Sequence, residues 1–321
     1  MKAIIHTQNG PPETVLRLEE LEKPVPTEQQ VLVKVHAASV NAMEWRGFAM
    51  SALLLRIIGI FFKQKTQQLG TDVAGTVEAV GSQVTEFKPG DEVFGVAPGA
   101  FAEYVCNGAS KFALKPTHLS FEAAASVPVA GFTALQGLRD KGQIQAKQKV
   151  LIDGASGGVG IFAVQIAKAW GAEVTGVCST RNLEMVQSLG ADQVIDYTRE
   201  DFTRNGKQYD LILVVNGHHS IGAYRRALSP KGKCIVAGGP ISQVVLSMIL
   251  GPLVSRFGRK KYAFMGIAGS PKEDLLVLKE LLETGKLAPV IDQRYPLHET
   301  AKAIRHLMEK HAQGKIIITV A

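Results

Sequence analysis

The chain has 321 residues, of which 46% are hydrophobic and 20% are charged. This composition excludes a disordered chain, and the length has room for two domains. The net charge of +7 favours anionic ligands or surfaces. The basic residues are scattered apart from a group between positions 256 and 261, and no arrangement of aromatic and basic residues suggests an RNA-binding surface. We therefore expect no nucleic-acid partner.

The cysteines are few and far apart, at Cys106, Cys178 and Cys234. Their spacing excludes a disulfide framework and a cysteine-rich zinc lobe, so we expect a reducing, cytoplasmic location. We expect no signal peptide, because the opening apolar run is short and has the pattern of a strand. Apolar stretches at 48–62 and 244–257 are shorter than the ~20 residues of a spanning helix. They predict buried or pocket-lining helices, with peripheral membrane contact as the alternative.

Short strands separated by Gly/Pro turns characterise the first part of the chain. Strands are predicted at 31–35, 73–80, 93–96 and 102–105. This pattern is typical of a small barrel or sandwich. From 287 onward the chain returns to short elements, namely strands at 291–295 and 315–320 around a helix at 299–310. These would close an otherwise open sheet edge, so residues 1–122 and 287–321 are predicted to form one domain.

Strands and helices alternate through the middle of the chain. The predicted strands are 149–153, 173–178, 193–196, 210–215 and 233–237, and the predicted helices are 159–170, 182–189 and 221–228. This alternation indicates βαβ units and a parallel sheet with helices on both faces. The predicted fold class is therefore α/β, with residues 123–286 forming the parallel-sheet domain.

A glycine-rich loop follows the strand at 149–153 and opens the next helix. Its glycines have the spacing GxxGxxG. Glycine lets the backbone approach a pyrophosphate, whose charge then lies at the helix N-terminus. A tight turn without a ligand would give the same pattern, but the position between strand and helix favours a dinucleotide site. The residues assigned to the cofactor here are Gly154, Ala155, Ser156, Gly157, Gly158, Val159 and Gly160.

The end of the second strand of this unit distinguishes the two nicotinamide cofactors. An NAD site usually has Asp or Glu there, to accept a hydrogen bond from the ribose 2′-hydroxyl. Here Ser179, Thr180 and Arg181 follow the strand, and the nearest preceding acid, Glu173, is at its start. Hydroxyls and a guanidinium suit a 2′-phosphate, so NADPH is predicted and NADH is the less favoured cofactor. The alternative for Arg181 is a solvated surface charge.

Motifs along nearly the whole chain resemble those of medium-chain dehydrogenases/reductases, in the zinc-free quinone oxidoreductase (zeta-crystallin-like) branch. They lie at 88–93, 128–134, 154–160, 189–197, 295–297 and 314–315. The resemblance implies a GroES-like β-barrel domain, split in sequence, and a Rossmann domain, with the cofactor in the cleft. The chain departs from the family at Val214-Val215-Asn216-Gly217-His218-His219, where members usually have Asp or Asn followed by Val-Gly-Gly.

The resemblance also implies roles for individual residues at the cofactor. Ser156, Gly158 and Val159 would hold the pyrophosphate, and Ser179 and Tyr197 would lie beside the adenosine 2′-phosphate. Further cofactor contacts would come from residues elsewhere in the chain: Thr133, Val215, the backbone of Met265 and Gly266 at the carboxamide, and His311, Ala312 and Gln313 closing over the cofactor.

No catalytic zinc is expected. Zinc-dependent relatives have a cysteine near the position of Asn41 and a histidine near that of Thr71. Neither side chain replaces a thiolate or an imidazole, and a catalytic zinc needs three protein ligands. His218 and His219 are adjacent, so their side chains point to opposite sides of a strand, and no carboxylate or cysteine is near them in the sequence. We expect no metal there either.

The predicted reaction is transfer of a hydride from NADPH to a quinone or to the β-carbon of an α,β-unsaturated ketone or aldehyde. Asn41 is the candidate catalytic donor to the negative oxygen and a candidate cofactor contact, with a structural amide as the alternative. Trp45 and the stretch 48–62 are expected beside the substrate, with core packing as the alternative. Two other functions stay open: an NADPH-binding peripheral membrane module with little turnover, and a zinc-independent alcohol dehydrogenase.

An apolar strand at 262–267 is predicted at an open edge of the parallel sheet. An open apolar edge must be paired or covered, and a second copy offering the same strand would pair it. We therefore predict a homodimer with this segment near its axis. The alternative is that the stretch at 244–257 covers the edge within one chain.

Overall fold

The computed structural model describes residues 1–6, 10–42, 44, 67–256, 259–309 and 312–320. The chain divides into two compact units. The terminal unit comprises Met1–Val129, Ser270–Glu280 and Pro289–Ala321, and the central unit comprises Ala130–Gly269 and Leu281–Ala288. The predicted domains have the same order along the chain, and their boundaries stay a prediction.

The secondary structure follows the predicted alternation of elements. The strands are β1 Lys2–His6, β2 Leu16–Glu20, β3 Gln30–Val40, β4 Gln67–Gln68, β5 Asp72–Val80, β6 Glu92–Val96, β7 Tyr104–Gly108, β8 Phe112–Leu114, β9 Lys149–Asp153, β10 Glu173–Cys178, β11 Gln193–Asp196, β12 Tyr209–Val214, β13 Leu228–Val236, β14 Lys261–Phe264, β15 Ile291–Pro296 and β16 Lys315–Thr319. The helices are α1 Pro12–Val15, α2 Phe121–Ala125, α3 Pro128–Gln136, α4 Gly160–Ala169, α5 Leu183–Ser188, α6 Ile221–Ala227, α7 Ile241–Arg256, α8 Lys272–Glu283 and α9 Thr300–Glu309.

The terminal unit is built on a seven-stranded sheet with the order β15-β16-β3-β5-β6-β8, and β7 also pairs with β3. Its pairs are antiparallel except β15 with β16. A second, antiparallel sheet has the order β2-β1-β4. The last strand of the chain thus lies beside β3, and both contribute to one apolar core with Phe101 and Phe112.

Two strands of this unit differ from their predicted bounds by more than one residue at an end. β3 continues to Val40, because Ala37 and Ala38 are fully buried between β16 and β5 although alanine rarely favours strands. β7 begins at Tyr104 rather than at position 102, and Ala102 forms only an isolated bridge to Ala3.

The central unit contains a six-stranded sheet with the order β11-β10-β9-β12-β13-β14, and every neighbouring pair is parallel. The predicted parallel sheet is therefore confirmed. Side chains on both faces of β9 and β12 are buried, which is typical of a sheet covered by helices on both sides. The strand order reverses between β9 and β12, and ligands of such sheets bind at this position, beyond the carboxyl ends of the strands.

Helix α7 covers part of the β14 edge. The Tyr262 backbone N–H donates to Ser255 Oγ at 2.9 Å, and that hydroxyl donates to the Tyr262 carbonyl at 2.8 Å. Both backbone groups that Tyr262 would offer to a further strand are thus bonded within the chain. This is the arrangement expected if the stretch at 244–257 covers the edge. The homodimer stays a prediction. Within the described ranges, no helix has both the length and the apolar character needed to cross a membrane.

Candidate active site

Packing within the chain requires two glycines of the nucleotide loop. Gly154 follows β9 with φ +94°, and a Cβ there would lie 2.9 Å from the Asn216 backbone nitrogen. At Gly160, the first residue of α4, a Cβ would lie 2.1 Å from the Gly154 carbonyl oxygen. These contacts bring the start of α4 close against the end of β9, so the helix N-terminus lies at the carboxyl edge of the sheet.

Gly157 has a different environment. A Cβ built there would meet only the Gly154 carbonyl oxygen, at 3.6 Å, which is an ordinary van der Waals contact. The chain itself would therefore accept alanine at this position. The space beside Gly157, in a loop that precedes a helix N-terminus, fits the close approach of a pyrophosphate.

Alanine substitutions at Gly157 and Gly160 are expected to affect different properties, namely cofactor binding and stability. Gly157→Ala should leave the free energy of unfolding within about 0.5 kcal/mol of wild type and weaken NADPH binding about tenfold, because only the ligand meets the new methyl group. Gly160→Ala should lower the free energy of unfolding by about 1–3 kcal/mol, because the backbone must move. Urea denaturation and NADPH titration measure both. Normal NADPH binding by Gly157→Ala would show that the loop does not hold the cofactor.

A buried asparagine joins the nucleotide loop to the end of β10. Asn182 Nδ2 donates to Ser156 Oγ at 2.9 Å and to Ser179 Oγ at 3.2 Å. Each serine hydroxyl therefore accepts from the asparagine and keeps its own hydrogen for another acceptor. This geometry orients two of the predicted phosphate-binding hydroxyls. The sequence analysis did not identify Asn182, although its position directly after Arg181 was a usable signal.

The residues predicted at the 2′-phosphate lie on one sheet edge. Cys178 and Asp196 are opposite each other at the ends of β10 and β11, so Ser179 and Tyr197 follow at the same level. The Tyr197 side chain is exposed, and its backbone N–H donates to the Cys178 carbonyl at 3.1 Å. Arg181 lies in the 3₁₀ turn Thr180–Asn182, on the surface.

Thr180 has a partner that the sequence did not reveal. Its hydroxyl donates to Asp196 Oδ2 at 2.5 Å, and Thr198 donates to the same carboxylate through its hydroxyl and its backbone N–H. The hydrogen bond from Thr180, followed by those from Thr198, lowers the pKa of Asp196. The Thr180 hydroxyl hydrogen is thus used within the chain. A carboxylate also lies near the predicted phosphate position.

Three of the remaining predicted residues of the central unit follow the carboxyl ends of its strands. The Val215 N–H, directly after β12, donates to the Asp153 carbonyl at 2.9 Å. The Met265 N–H donates to the Val236 carbonyl at 3.0 Å, and Gly266 follows with φ +84° and open space around its Cα. Thr133 lies in α3 and is half-buried.

The adjacent histidines take part in no metal site that the described part of the chain contains. His218 is exposed, whereas the His219 ring packs edge-on against Phe202 and Tyr224. The Tyr224 hydroxyl donates to the buried Asp153 carboxylate at 2.6 Å, and burial raises the pKa of Asp153. His219 therefore packs against a tyrosine that is itself hydrogen-bonded to Asp153.

The terminal unit holds a buried polar cluster where three neighbouring strands meet. Asn41 follows β3, Asp72 begins β5, and Lys315 begins β16. Lys315 Nζ donates to Asn41 Oδ1 at 2.5 Å and lies 3.3 Å from Asp72 Oδ2. Asn41 Nδ2 donates to Asp72 Oδ2 at 2.9 Å, and Ser39 Oγ donates to the same oxygen at 2.6 Å. The Asn41 amide is therefore held from both sides, and no acceptor in the described part of the chain takes its second Nδ2 hydrogen.

Glu44 lies beside this cluster and was missed by the sequence analysis. Its Oε2 accepts the Asn41 backbone N–H at 2.6 Å, while its buried Oε1 has no hydrogen-bond partner among the described residues. Burial, followed by the charge of Asp72, raises the pKa of Glu44 to about 7, and Lys315 opposes this shift. Glu44 can therefore hold a proton near neutral pH. Its position three residues after Asn41 was the only local signal.

Other predicted site residues of the terminal unit are only partly placed. Ala312 and Gln313 precede β16 and are half-buried. His311, Trp45 and the stretch 48–62 lie outside the described residues.

Comparison with known proteins connects both units to one family. A family model described as an alcohol dehydrogenase GroES-like domain matches residues 27–117, and one described as a zinc-binding dehydrogenase matches residues 189–318. A mitochondrial NAD(P)H oxidoreductase of Homo sapiens is 33% identical, over 91% of this chain and 82% of its own length. A 2-methylene-furan-3-one reductase of Solanum lycopersicum is 35% identical, over 99% of this chain and 79% of its own length.

A solved structure agrees with these relatives. The quinone oxidoreductase of Escherichia coli, crystallised with NADPH, superposes with a TM-score of 0.83 at 26% identity, covering 99% of this chain and 100% of that one. The predicted combination of a GroES-like domain and a Rossmann-type parallel sheet is therefore confirmed. The chain belongs to the medium-chain dehydrogenase/reductase family, in its quinone oxidoreductase branch, and is an NAD(P)H-dependent reductase.

Proposed function

We propose that the protein transfers a hydride from NADPH, in preference to NADH, to a quinone or to the β-carbon of an α,β-unsaturated ketone or aldehyde, without zinc. The observation that carries this proposal is the buried cluster of Asn41, Asp72 and Lys315. Relatives support the substrate class: one is named as a quinone oxidoreductase and another as a 2-methylene-furan-3-one reductase. Both substrate types place negative charge on a carbonyl oxygen when hydride adds to a conjugated carbon.

Lys315 supports the proposal that no zinc is needed. Its ammonium group contacts the oxygens of Asn41 and Asp72, so a cation already neutralises the oxygens of this cluster. A divalent ion at the same place would be repelled by the ammonium, and the amide and carboxylates present include neither the imidazole nor the thiolate typical of zinc sites.

The chain's residues have distinct proposed roles. NADPH, when bound, supplies the hydride. The free Nδ2 hydrogen of Asn41 would stabilise the developing oxyanion, while Lys315 and Asp72 hold the amide in one orientation. Glu44 is the candidate proton reservoir, since it is buried beside Asn41 and its pKa is about 7. Ser156, Ser179 and Arg181 are the proposed contacts to the cofactor phosphates.

A cofactor-consumption screen tests the function. NADPH oxidation should be rapid with quinones, enals or enones, several-fold slower with NADH, and unchanged after chelator treatment of protein that contains no stoichiometric zinc. The physical reason is that the cluster supplies hydrogen-bond donors rather than a Lewis acid. Absorbance at the nicotinamide band and metal analysis of the same sample give both readouts.

Other outcomes favour the alternatives. Alcohol oxidation with no quinone or enone reduction would favour a zinc-independent alcohol dehydrogenase. Tight NADPH binding without turnover on any acceptor would favour a binding module. One zinc ion per chain at Asn41 and Asp72 would contradict the role given to Lys315.

Location and assembly remain part of the proposal. All three cysteines are free thiols, which agrees with a reducing, cytoplasmic compartment. A homodimer with residues 262–267 near its axis would need backbone groups other than those of Tyr262, which Ser255 already occupies.

A further inference from the structure

Helix α7 (Ile241–Arg256) has small residues on its buried side and large apolar residues on its exposed side. Its small residues face the sheet: Ser247 and Gly251 are buried, Ser247 Oγ lies 3.2 Å from the Tyr262 hydroxyl, and Ser255 bonds the Tyr262 backbone. Its large apolar residues face outward with 40–62% of their surface exposed, namely Val245, Leu246, Met248, Ile249 and Leu253. A surface helix normally has the reverse arrangement, so this face is suited to contact another apolar phase.

The outer face of α7 carries no charge until its last residue. Positions 241–255 contain no acidic or basic side chain, and the helix then ends in Arg256. Exposed residues recur at 242, 245, 246, 248, 249, 252, 253 and 256, which is the spacing of one continuous, broad helical face. The apolar surface and the first positive charge are therefore contiguous.

The part of the central unit that contains α7 is rich in positive charge. Residues 211–269 include no Asp or Glu, and their basic residues are Arg225, Arg226, Lys231, Lys233, Arg256, Arg259, Lys260 and Lys261. These eight charges exceed the net +7 of the whole chain, so the rest of the chain is slightly acidic. The asymmetry makes this region distinctive as a surface for anions.

Several of these basic residues meet at the C-terminal end of α7. Lys261 Nζ donates to the Ser255 carbonyl at 2.9 Å, and Lys260 Nζ donates to the Arg225 carbonyl at 2.8 Å. Lys233 is opposite Lys261 in the parallel pair of β13 and β14. Over the described part of the chain, no carboxylate forms an ion pair with Arg256, Arg259, Lys260 or Lys261. The cluster therefore keeps its charge for an external partner.

We propose that the outer face of α7 and the adjoining basic cluster dock the protein on an anionic lipid bilayer. An interfacial helix of this kind buries its apolar side chains below the headgroups while basic residues contact anionic lipids. Charge complementarity favours anionic headgroups as the occupant of this face, because the adjoining cluster is basic. A second copy seated on the same face, with the two-fold axis beside Arg256, would bring two basic clusters together, and like charges facing each other are unfavourable. The homodimer proposed at residues 262–267 would use the edge of β14 rather than the outer face of α7.

Vesicle flotation of the full chain with saturating NADPH tests this docking. We expect binding to phosphatidylcholine vesicles that contain about one-third phosphatidylglycerol, on the order of tenfold weaker binding to pure phosphatidylcholine, and release at high salt. The double variant Ile249→Gln/Leu253→Gln should lose at least about tenfold in binding, because it removes apolar surface that enters the bilayer. Arg256→Gln/Arg259→Gln should lose about tenfold toward the anionic vesicles alone.

Matched controls keep the test specific. Val25→Gln removes an apolar side chain with 83% exposure in the terminal unit, and Arg204→Gln removes an exposed arginine elsewhere in the central unit. Both should bind vesicles like wild type, and all variants should keep the wild-type melting temperature because the substituted side chains are exposed. Sedimentation velocity on the same samples reports the oligomeric state.

Three outcomes would overturn the proposal. Wild-type protein that floats with neither vesicle has no bilayer affinity. Equal binding by wild type and the α7 variants would place the contact elsewhere. Conversion of a dimer to a monomer by Ile249→Gln/Leu253→Gln, without vesicle binding by wild type, would identify a second copy as the occupant.

Discussion

Lys315→Met is expected to lower the free energy of unfolding by about 3 kcal/mol and turnover by about a hundredfold. Removing one member of a buried ion pair typically costs 3–5 kcal/mol, because the remaining charge stays buried without its partner. We expect a loss at the lower end of this energy range, because Asp72 keeps hydrogen bonds from Ser39, Asn41 and the Val129 backbone. The turnover loss follows if Asn41 is an oxyanion donor, because Lys315 holds one side of its amide.

Two further variants separate this effect from an ordinary loss of a lysine. Lys302→Met removes a lysine with 65% of its side chain exposed that pairs with Glu299, and it should change the unfolding free energy by less than about 1 kcal/mol. The double variant Lys315→Met/Asp72→Asn should be destabilised by less than the sum of its single variants, by about 1 kcal/mol or more. Strict additivity in urea denaturation would contradict the ion pair. Wild-type turnover in a folded Lys315→Met protein would contradict the positioning role.

The sequence predicted the central unit more accurately than the terminal one. β9, β10 and β11 have their predicted bounds, because each is a short apolar run with turn residues on either side. The sequence pattern of β3 predicted a strand less clearly, because its second half contains alanines, which rarely favour strands. Packing decided the length of that strand, and no local pattern reports packing.

The buried cluster shows the same limit at the candidate site. Asn41 was identified from the sequence, but its partner Lys315 is 274 positions away along the chain. A lysine before the apolar run of β16 has the appearance of an ordinary strand-end charge. Only the adjacency of β16, β3 and β5 shows that this ammonium is buried against Asn41 and Asp72. Long-range strand pairing, rather than residue type, therefore determines the chemistry of this site.

The residues predicted at the 2′-phosphate lie near one another, and their role stays a prediction. Parallel strand order placed Ser179, Arg181 and Tyr197 at one edge, as the alternation of elements implied. The hydrogen bond from Thr180 to Asp196 was not foreseeable, because Asp196 belongs to the following strand. Ser179 and Arg181 therefore remain the predicted phosphate contacts of the segment after β10.

Arg181→Ala is therefore expected to weaken NADPH binding by about 1.5–3 kcal/mol, or roughly 10- to 150-fold, and to change NADH binding by less than about twofold. The guanidinium would lose charge-assisted hydrogen bonds to a group that only NADPH carries. The nearby carboxylate of Asp196 increases the dependence on Arg181, because it would repel a phosphate that no cation offsets. Calorimetric titration of both cofactors measures the effect.

A control variant, Arg204→Ala, removes an exposed arginine that pairs with Asp201 and should leave both affinities unchanged. Equal losses for NADPH and NADH in Arg181→Ala would show that Arg181 contacts a part common to both cofactors, and the preference for NADPH would then need another source.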